Sequence, residues 1–290
     1  MKLVTVRTPA GTRAARVAGD RLLDLGPGDV GTLLARDDWA QAASDGGPEA
    51  GADLGDLGEL GDVETADLAP VVPRPGKVLC IGLNYRGHIL EMGRDLPQYP
   101  TVFSKVAETL VGPRDDILLP AETDALDWEA ELAIVVGRPV RRASAAEAEA
   151  AIAGFAVLDD VTCRDWQFRT REWLQGKNWE ATTPLGPYLV TPDELPGGVR
   201  PSLAIRTTLD GEVMQEDTTG DLLFDPVDLV QYLSTFATLQ PGDVIATGTP
   251  GGVGHARTPA RYLGAGQTLV TEVEGLGRCV NTVVADGVAA

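Results

Sequence analysis

The chain is poor in residues that build covalent or redox frameworks. Its three cysteines, Cys80, Cys163 and Cys279, stand far apart in 290 residues. Their number is odd and their spacing matches neither a zinc site nor a disulfide scaffold, so free thiols of a reducing compartment are expected. Positive charge is also short: 24 Lys and Arg against 43 Asp and Glu give a net charge of −19. So acidic a surface argues against nucleic acid and anionic membrane as partners. It leaves room for a small anionic substrate, because a bound metal reverses the local field. No apolar run reaches the length that spans a bilayer. The start, Met1-Lys2-Leu3-Val4-Thr5-Val6-Arg7, lacks the apolar core of a signal peptide, and a cytoplasmic protein is expected. With only two histidines, His88 and His255 each carry weight.

What the chain does have is strand signals punctuated by Gly and Pro. Leu3 to Val6, Arg13 to Val17 and Leu22 to Leu25 read as small hairpins turning at Pro9-Ala10-Gly11 and Gly19-Asp20. Residues 44–67, rich in Gly, Ala, Asp and Glu, read as a loop or poorly packed helix in a linker. Pro70, Pro73 and Pro75 mark a boundary, giving a small N-terminal domain with its acidic linker over 1–70 and a main domain over 71–290. Buried strands are expected at Val78 to Gly82, Leu132 to Val136, Gly154 to Leu158, Val244 to Thr247, Leu269 to Val273 and Cys279 to Val284. Helices are expected at Ser144 to Ile152, where Ser144 and Glu147 form a capping box, and at Asp225 to Phe236, with Pro226 in the first turn. The pattern is mainly β with some α (α+β), not a doubly wound βαβ sheet.

The most informative stretch is Asp127-Trp128-Glu129-Ala130-Glu131-Leu132, at the entrance to the Leu132–Val136 run. On a strand, Glu129 and Glu131 share a face. Neighbouring carboxylates repel, so one takes up a proton or a cation sits between them. Nothing basic lies beside them in sequence, which favours the cation. Asp159 and Asp160, at the end of the next strand, each offer a further oxygen ligand. An all-oxygen set suits Mg²⁺, Mn²⁺ or Ca²⁺ and not zinc. His88 lies three residues before Glu91, so on a helical turn the carboxylate can orient the imidazole. Lys177, one of few lysines, sits in Gln175-Gly176-Lys177-Asn178 and can place a point charge on an anion. Thr247-Gly248-Thr249-Pro250-Gly251-Gly252-Val253-Gly254 lacks the lysine of a P-loop, but its NH groups and hydroxyls can hold a carboxylate or oxyanion. His255, in the same glycine loop, reads as non-catalytic.

Taken in order, several segments resemble the fumarylacetoacetate hydrolase family. They are Ile81-Gly82-Leu83-Asn84-Tyr85 with His88, Phe103-Ser104-Lys105, Asp127 to Leu132, Asp160 to Gln167, Gly176-Lys177, Pro184 to Pro187, and Gly242 to Pro250. The resemblance spans roughly residues 75–284 and implies a mixed β-sandwich roll, usually a homodimer. It implies metal ligation by Glu129, Glu131 and Asp160, choosing Asp160 over Asp159, with Mg²⁺ or Mn²⁺ as the ion. It implies a water-activating dyad of His88 and Glu91, a lysine, Lys177, facing the metal site, and substrate contacts from Arg164, Gln167 and Thr249.

The activity implied is hydrolysis of a C–C bond in an acylpyruvate or other diketo acid, through an enolate formed at the metal site. Isomerisation or decarboxylation of a related 2-oxo acid uses the same machinery. A non-catalytic dimer that binds metal or small acids is the reading from a different class. Trp173 and Trp179 suggest an apolar or aromatic wall for the substrate, and core packing accounts for them equally well.

Overall fold

A computed structural model describes residues 1–45, 63–91, 93 and 95–287; the side chain of Glu91 lies outside the described residues. Most of the acidic stretch 44–67 also lies outside them, and its described start closes the helix Trp39–Asp45.

The strand Ala130–Val136 is buried along its whole length. It runs between Ile152–Asp159 and Val244–Ala246, antiparallel to both. A central strand covered on both faces reads as a continuous apolar run, which is why its two faces cannot be told apart by polarity. Alternation still sorts its side chains. Leu132, Ile134 and Val136 enter the main core with Phe155 and Val157, while Ala133 packs on the other face with Cys80, Ala156 and Leu158.

This strand belongs to a large mixed sheet. The order is Arg21–Pro27, Gly11–Ala18, Lys2–Thr8, Thr183–Val190, Ile152–Asp159, Ala130–Val136, Val244–Ala246, Val78–Gly82 and Thr101–Lys105, with Leu110–Val111 pairing beside Thr183–Val190. A second sheet runs Glu212–Thr218, Ala204–Leu209, Thr268–Val273, Gly277–Ala285 and Ile117–Leu119. Ile205, Val273 and Cys279 from the second sheet meet Ile134, Phe155 and Val157 from the first, so the core is a sheet-on-sheet layer. Helix Pro226–Phe236 covers one side through Val227, Leu229, Val230 and Leu233. Asp225 caps it, accepting from Val227 N and Asp228 N at 2.8 and 2.9 Å. The Ser144–Glu147 capping box opens helix Ala145–Ala151 as expected.

The fold is mainly β with few helices, as the sequence indicates. The first three strands form the expected hairpins, and they continue the large sheet: Lys2 and Leu3 pair with Val190 and Leu189. All three cysteines are buried free thiols. No helix among the described residues is long and apolar enough to cross a membrane.

Candidate active site

Strand parity places the acidic cluster. Glu129 and Glu131 fall on the face of the 130–136 strand that carries Ala133, away from the sheet-on-sheet core. Asp160 follows Leu158 in parity and turns to the same face, tied by its N–H to Glu129 O at 2.8 Å. Oxygens of Glu129, Glu131 and Asp160 all lie within 4.8 Å of one another, and all three residues are buried. Asp159 points the opposite way, into the second sheet. Its carboxylate accepts from Glu129 N at 2.9 Å and from the Thr271 hydroxyl at 2.6 Å.

Three cations converge on this cluster from distant parts of the chain. Lys177 Nζ donates to Glu129 Oε2 and Asp160 Oδ2, both at 2.7 Å. Lys105 Nζ donates to Asp160 Oδ1 at 2.7 Å and to Val161 O at 3.1 Å. Arg164 donates through Nη1 to Glu129 Oε1 at 2.6 Å and through Nε to Asp127 Oδ2 at 2.8 Å. The local absence of basic residues in the sequence is therefore misleading, because tertiary pairing supplies them. Burial pushes the Lys177 ammonium towards losing its proton, but Asp160 and Glu129 outweigh that and hold its pKa above the ordinary value. Arg164 is raised in the same way by Glu129 and Asp127 against its burial. Asp160 is held below the usual carboxylate range because Lys105 and Lys177 overcome its burial.

Glu131 is the exception. None of the three cations donates to it. One oxygen accepts Gly248 N at 2.7 Å, and the other has no hydrogen bond among the described residues. Burial, then Asp160 and Glu129, push its pKa well above the ordinary value. Four buried carboxylates, Asp127, Glu129, Glu131 and Asp160, thus face three buried cations, and Glu131 is the one with which none of the three pairs. The donor set fits a hard divalent cation: three carboxylates, no sulfur or nitrogen ligand, and one carboxylate oxygen lacking a donor.

Local backbone features hold this arrangement. Gly248 sits at φ +102°, and a Cβ there would meet Asn84 Cβ at 2.9 Å, so glycine is required where the N–H turns to Glu131. Gly176 lets the short helix Leu174–Lys177 press on Arg164–Gln167; a Cβ would lie 2.5 Å from Gln167 Cα.

Above the carboxylates lies a cavity of about 420 Å³. Glu129, Glu131, Arg164, Gln167, Lys177 and Thr249 all line it, with Ile81, Phe103 and Trp173 as apolar wall. Asp160 lies just beneath, tied to Lys177. His88 also lines the cavity, from helix Arg86–Glu91, whose Gly87 N–H is anchored by Asp221 Oδ2 at 2.7 Å. Its expected partner Glu91 ends that helix, with its side chain outside the described residues. Of the two tryptophans read as a wall, Trp173 lines the cavity, whereas Trp179 packs edge-on against Trp166.

Sequence reasoning missed four residues here. Lys105 was visible only as part of Phe103-Ser104-Lys105. Asp127 accepts the backbone N–H groups of Gly254 and His255 at 2.7 and 2.9 Å, fastening the glycine loop to Arg164. His255 therefore stands on the cavity wall, its Nδ1 3.0 Å from Tyr262 Oη, so both histidines of the chain line one cavity. The fourth is Gln215, a buried amide from the second sheet.

Asp159 yields a pH prediction for the metal-free chain. Burial raises its pKa from 3.8 to about 7. Between those values the folded state holds a proton that the unfolded state releases, so its contribution makes stability fall as pH rises. Asp159→Asn keeps an acceptor for Glu129 N and should flatten that part of the slope. Melting temperatures read in chelator across this pH range check it; an unchanged slope in the variant contradicts the assignment.

Comparison with known proteins converges on one family. Residues 77–284 match the fumarylacetoacetate (FAA) hydrolase C-terminal family model. The rat (Rattus norvegicus) protein named oxaloacetate tautomerase Fahd2a, mitochondrial, is 43% identical over 218 residues, covering 75% of this chain and 69% of its own length. A fumarylacetoacetate hydrolase structure from psychrophilic Exiguobacterium antarcticum superposes with a TM-score of 0.83 at 30% identity, covering 99% of this chain and 100% of that one. A 5-carboxymethyl-2-hydroxymuconate delta-isomerase structure from Mycobacterium smegmatis superposes with a TM-score of 0.77 at 31% identity, covering 99% and 100%. Three different reaction names thus attach to one architecture, and the chain belongs to the fumarylacetoacetate hydrolase family.

Proposed function

We propose that the chain moves a proton at the carbon beside the carbonyl of a small 2-oxo dicarboxylic acid, interconverting its keto and enol forms or shifting its double bond. The observation that carries this reading is the charge layout of the cavity: a carboxylate trio spaced for a cation, with Arg164, Lys177, Thr249 and two imidazoles lining the same cavity. The relatives named tautomerase and isomerase support it over hydrolysis.

Glu129, Glu131 and Asp160 would hold Mg²⁺, with Mn²⁺ or Ca²⁺ as alternatives. Bound there, a divalent ion supplies Lewis acidity that lowers the cost of negative charge on the 2-oxo oxygen. The chain's own groups do the rest. Lys177 stays protonated beside Glu129 and Asp160, so it serves as a fixed positive charge and not as a base. Arg164 Nη2 is buried with no partner among the described residues and would donate to the substrate carboxylate. Thr249 and Gln167 would make the remaining polar contacts. His88 is the group that takes the proton from carbon and returns it.

Hydrolysis of an acylpyruvate is the second reading, supported by the likeness to a named hydrolase. There His88, oriented by Glu91, would take its proton from water. A single comparison separates the readings. Enol absorbance is followed on oxaloacetate with Mg²⁺ present, and acetylpyruvate is checked for cleavage to pyruvate and acetate. Accelerated enol loss without cleavage is expected. Cleavage without accelerated enol loss replaces the proposal by hydrolysis, and neither activity leaves the non-catalytic binder. His88→Ala should abolish whichever activity is found.

A dicarboxylate has a distal anion, and we assign it to His255. His255→Ala should raise KM for oxaloacetate about tenfold, the lower end for a hydrogen bond to a charged group, with kcat little changed. A 2-oxo monocarboxylate should be unaffected; equal losses on both substrates refute the assignment. A homodimer in a reducing compartment such as the cytoplasm belongs to the same proposal, and sedimentation of the purified chain tests the dimer.

A further inference from the structure

Gln215 sits on strand Glu212–Thr218 of the second sheet and is 1% exposed. Its amide crosses between the two sheets and uses every hydrogen-bonding position it has. Oε1 accepts from Ala130 N at 3.0 Å and from the Thr207 hydroxyl at 2.9 Å. Nε2 donates to Thr249 Oγ1 at 2.8 Å and to Pro250 O at 3.0 Å.

That pattern leaves no freedom of orientation. Rotating the amide by half a turn would set its NH₂ against the Ala130 N–H, and its oxygen against the Pro250 carbonyl. Nε2 therefore faces Thr249, and the Thr249 oxygen is an acceptor in this bond. The hydroxyl hydrogen must go elsewhere. The Thr249 hydroxyl donates no hydrogen bond among the described residues, and Thr249 lines the cavity. The same amide holds Ala130, between Glu129 and Glu131, so one side chain sets both the carboxylate strand and the hydroxyl beside it.

We propose that Gln215 is a positioning residue that fixes Thr249 as a one-way donor, its hydrogen presented to an oxygen of the bound acid. The substrate atom at Thr249 is then an acceptor, a carboxylate or carbonyl oxygen, and not a hydroxyl. This rests on the 2-oxo acid reading of the cavity. A donor held in place ahead of binding costs no rotor entropy when the acid arrives, which is the general advantage of preorganisation.

Gln215→Glu tests it. One carboxylate oxygen can still accept from Ala130 N and Thr207, but the other now accepts where Nε2 donated. The Thr249 hydrogen turns to it and away from the cavity. Oxalate binding, measured by calorimetry with Mg²⁺ present, should weaken about tenfold, as for loss of a hydrogen bond to a charged group. Thr249→Val, which keeps the shape and loses the hydroxyl, should weaken it by a similar factor. Gln215→Glu added to Thr249→Val should cost no more than Thr249→Val alone, because the route through Thr249 is already gone. Losses that multiply would show that Gln215 acts by another path and would overturn the proposal, as would unaltered oxalate affinity in Gln215→Glu. Should the glutamate variant fail to fold, Gln215→Met replaces it in the cycle. It frees the hydroxyl rotor and also strips Ala130 N of its acceptor, so its loss in affinity should shrink, though not vanish, once Thr249 is Val; the same factor lost in both backgrounds overturns the proposal. Wild-type turnover is scored separately: oxalate binding with the expected cycle but without enol turnover sinks the proposed reaction and spares Gln215. Absence of oxalate binding to the wild type sinks both.

Discussion

In metal-free buffer, Asp160→Asn should destabilise the chain by roughly 3–5 kcal/mol, the range for removing one partner of a buried ion pair. The reason lies in what is left behind. Lys105 and Asp160 are both fully buried, and Lys105 retains only the Val161 carbonyl once the carboxylate is gone. Lys177 keeps Glu129 but loses half its neutralisation. The asparagine amide also presents N–H groups where an acceptor stood, so at least one ammonium meets a donor. At about 2 °C of melting temperature per kcal/mol in a chain of this size, the drop is roughly 6–10 °C. The mechanism predicts its own rescue: adding Lys105→Met removes the stranded charge and should recover part of the loss. Asp160 is held below the usual carboxylate range, so the stability it contributes is present at neutral pH and lost only as pH falls through its depressed pKa. A variant that melts within 2 °C of wild type would contradict the buried network.

Such a network was half legible in the sequence. Parity put Glu129 and Glu131 on one face because a strand alternates whatever surrounds it. The same rule could not choose between Asp159 and Asp160. The strand Ile152–Asp159 is buried on both faces, so no polar stripe marks which one holds the site. The family resemblance chooses Asp160; in the structure Asp160 shares parity with Leu158 and joins the glutamates, while Asp159 turns to Thr271. Lys177, Lys105 and Arg164 reach their carboxylates across 48, 55 and 35 residues of chain, distances at which local periodicity carries no information. Turn and cap chemistry is local, so the hairpins and the Ser144–Glu147 capping box could be read directly. Edge pairing is not, so nothing in the first strand announced its bonds to Leu189 and Val190. In sequence His255 reads as part of a flexible glycine loop; Asp127, 128 residues away, holds its backbone at the cavity.

Glu131→Gln should show the opposite sign of stability within the same trio. No cation among the described residues donates a hydrogen bond to Glu131, and burial with Asp160 and Glu129 holds its pKa well above the ordinary value against the pull of Lys177. A carboxylate in that position costs the folded state stability as pH rises above its unfolded pKa. Glutamine is isosteric and its carbonyl can still accept Gly248 N. In chelator at neutral pH the variant should therefore melt no lower than wild type, and its melting temperature should depend less on pH. With Mg²⁺ added, the wild type should gain stability by mass action and the variant should gain far less, because one of three oxygen ligands has lost its charge. Turnover should fall by about a thousandfold or more, since the Lewis acid is worth several kcal/mol to the transition state. Stability held while metal binding and activity collapse would mark Glu131 as a group kept for its ligand at the expense of the fold. A variant that loses stability in chelator as Asp160→Asn does would instead make Glu131 part of the internal ion-pair network, and the surplus charge that argues for a bound cation would be gone.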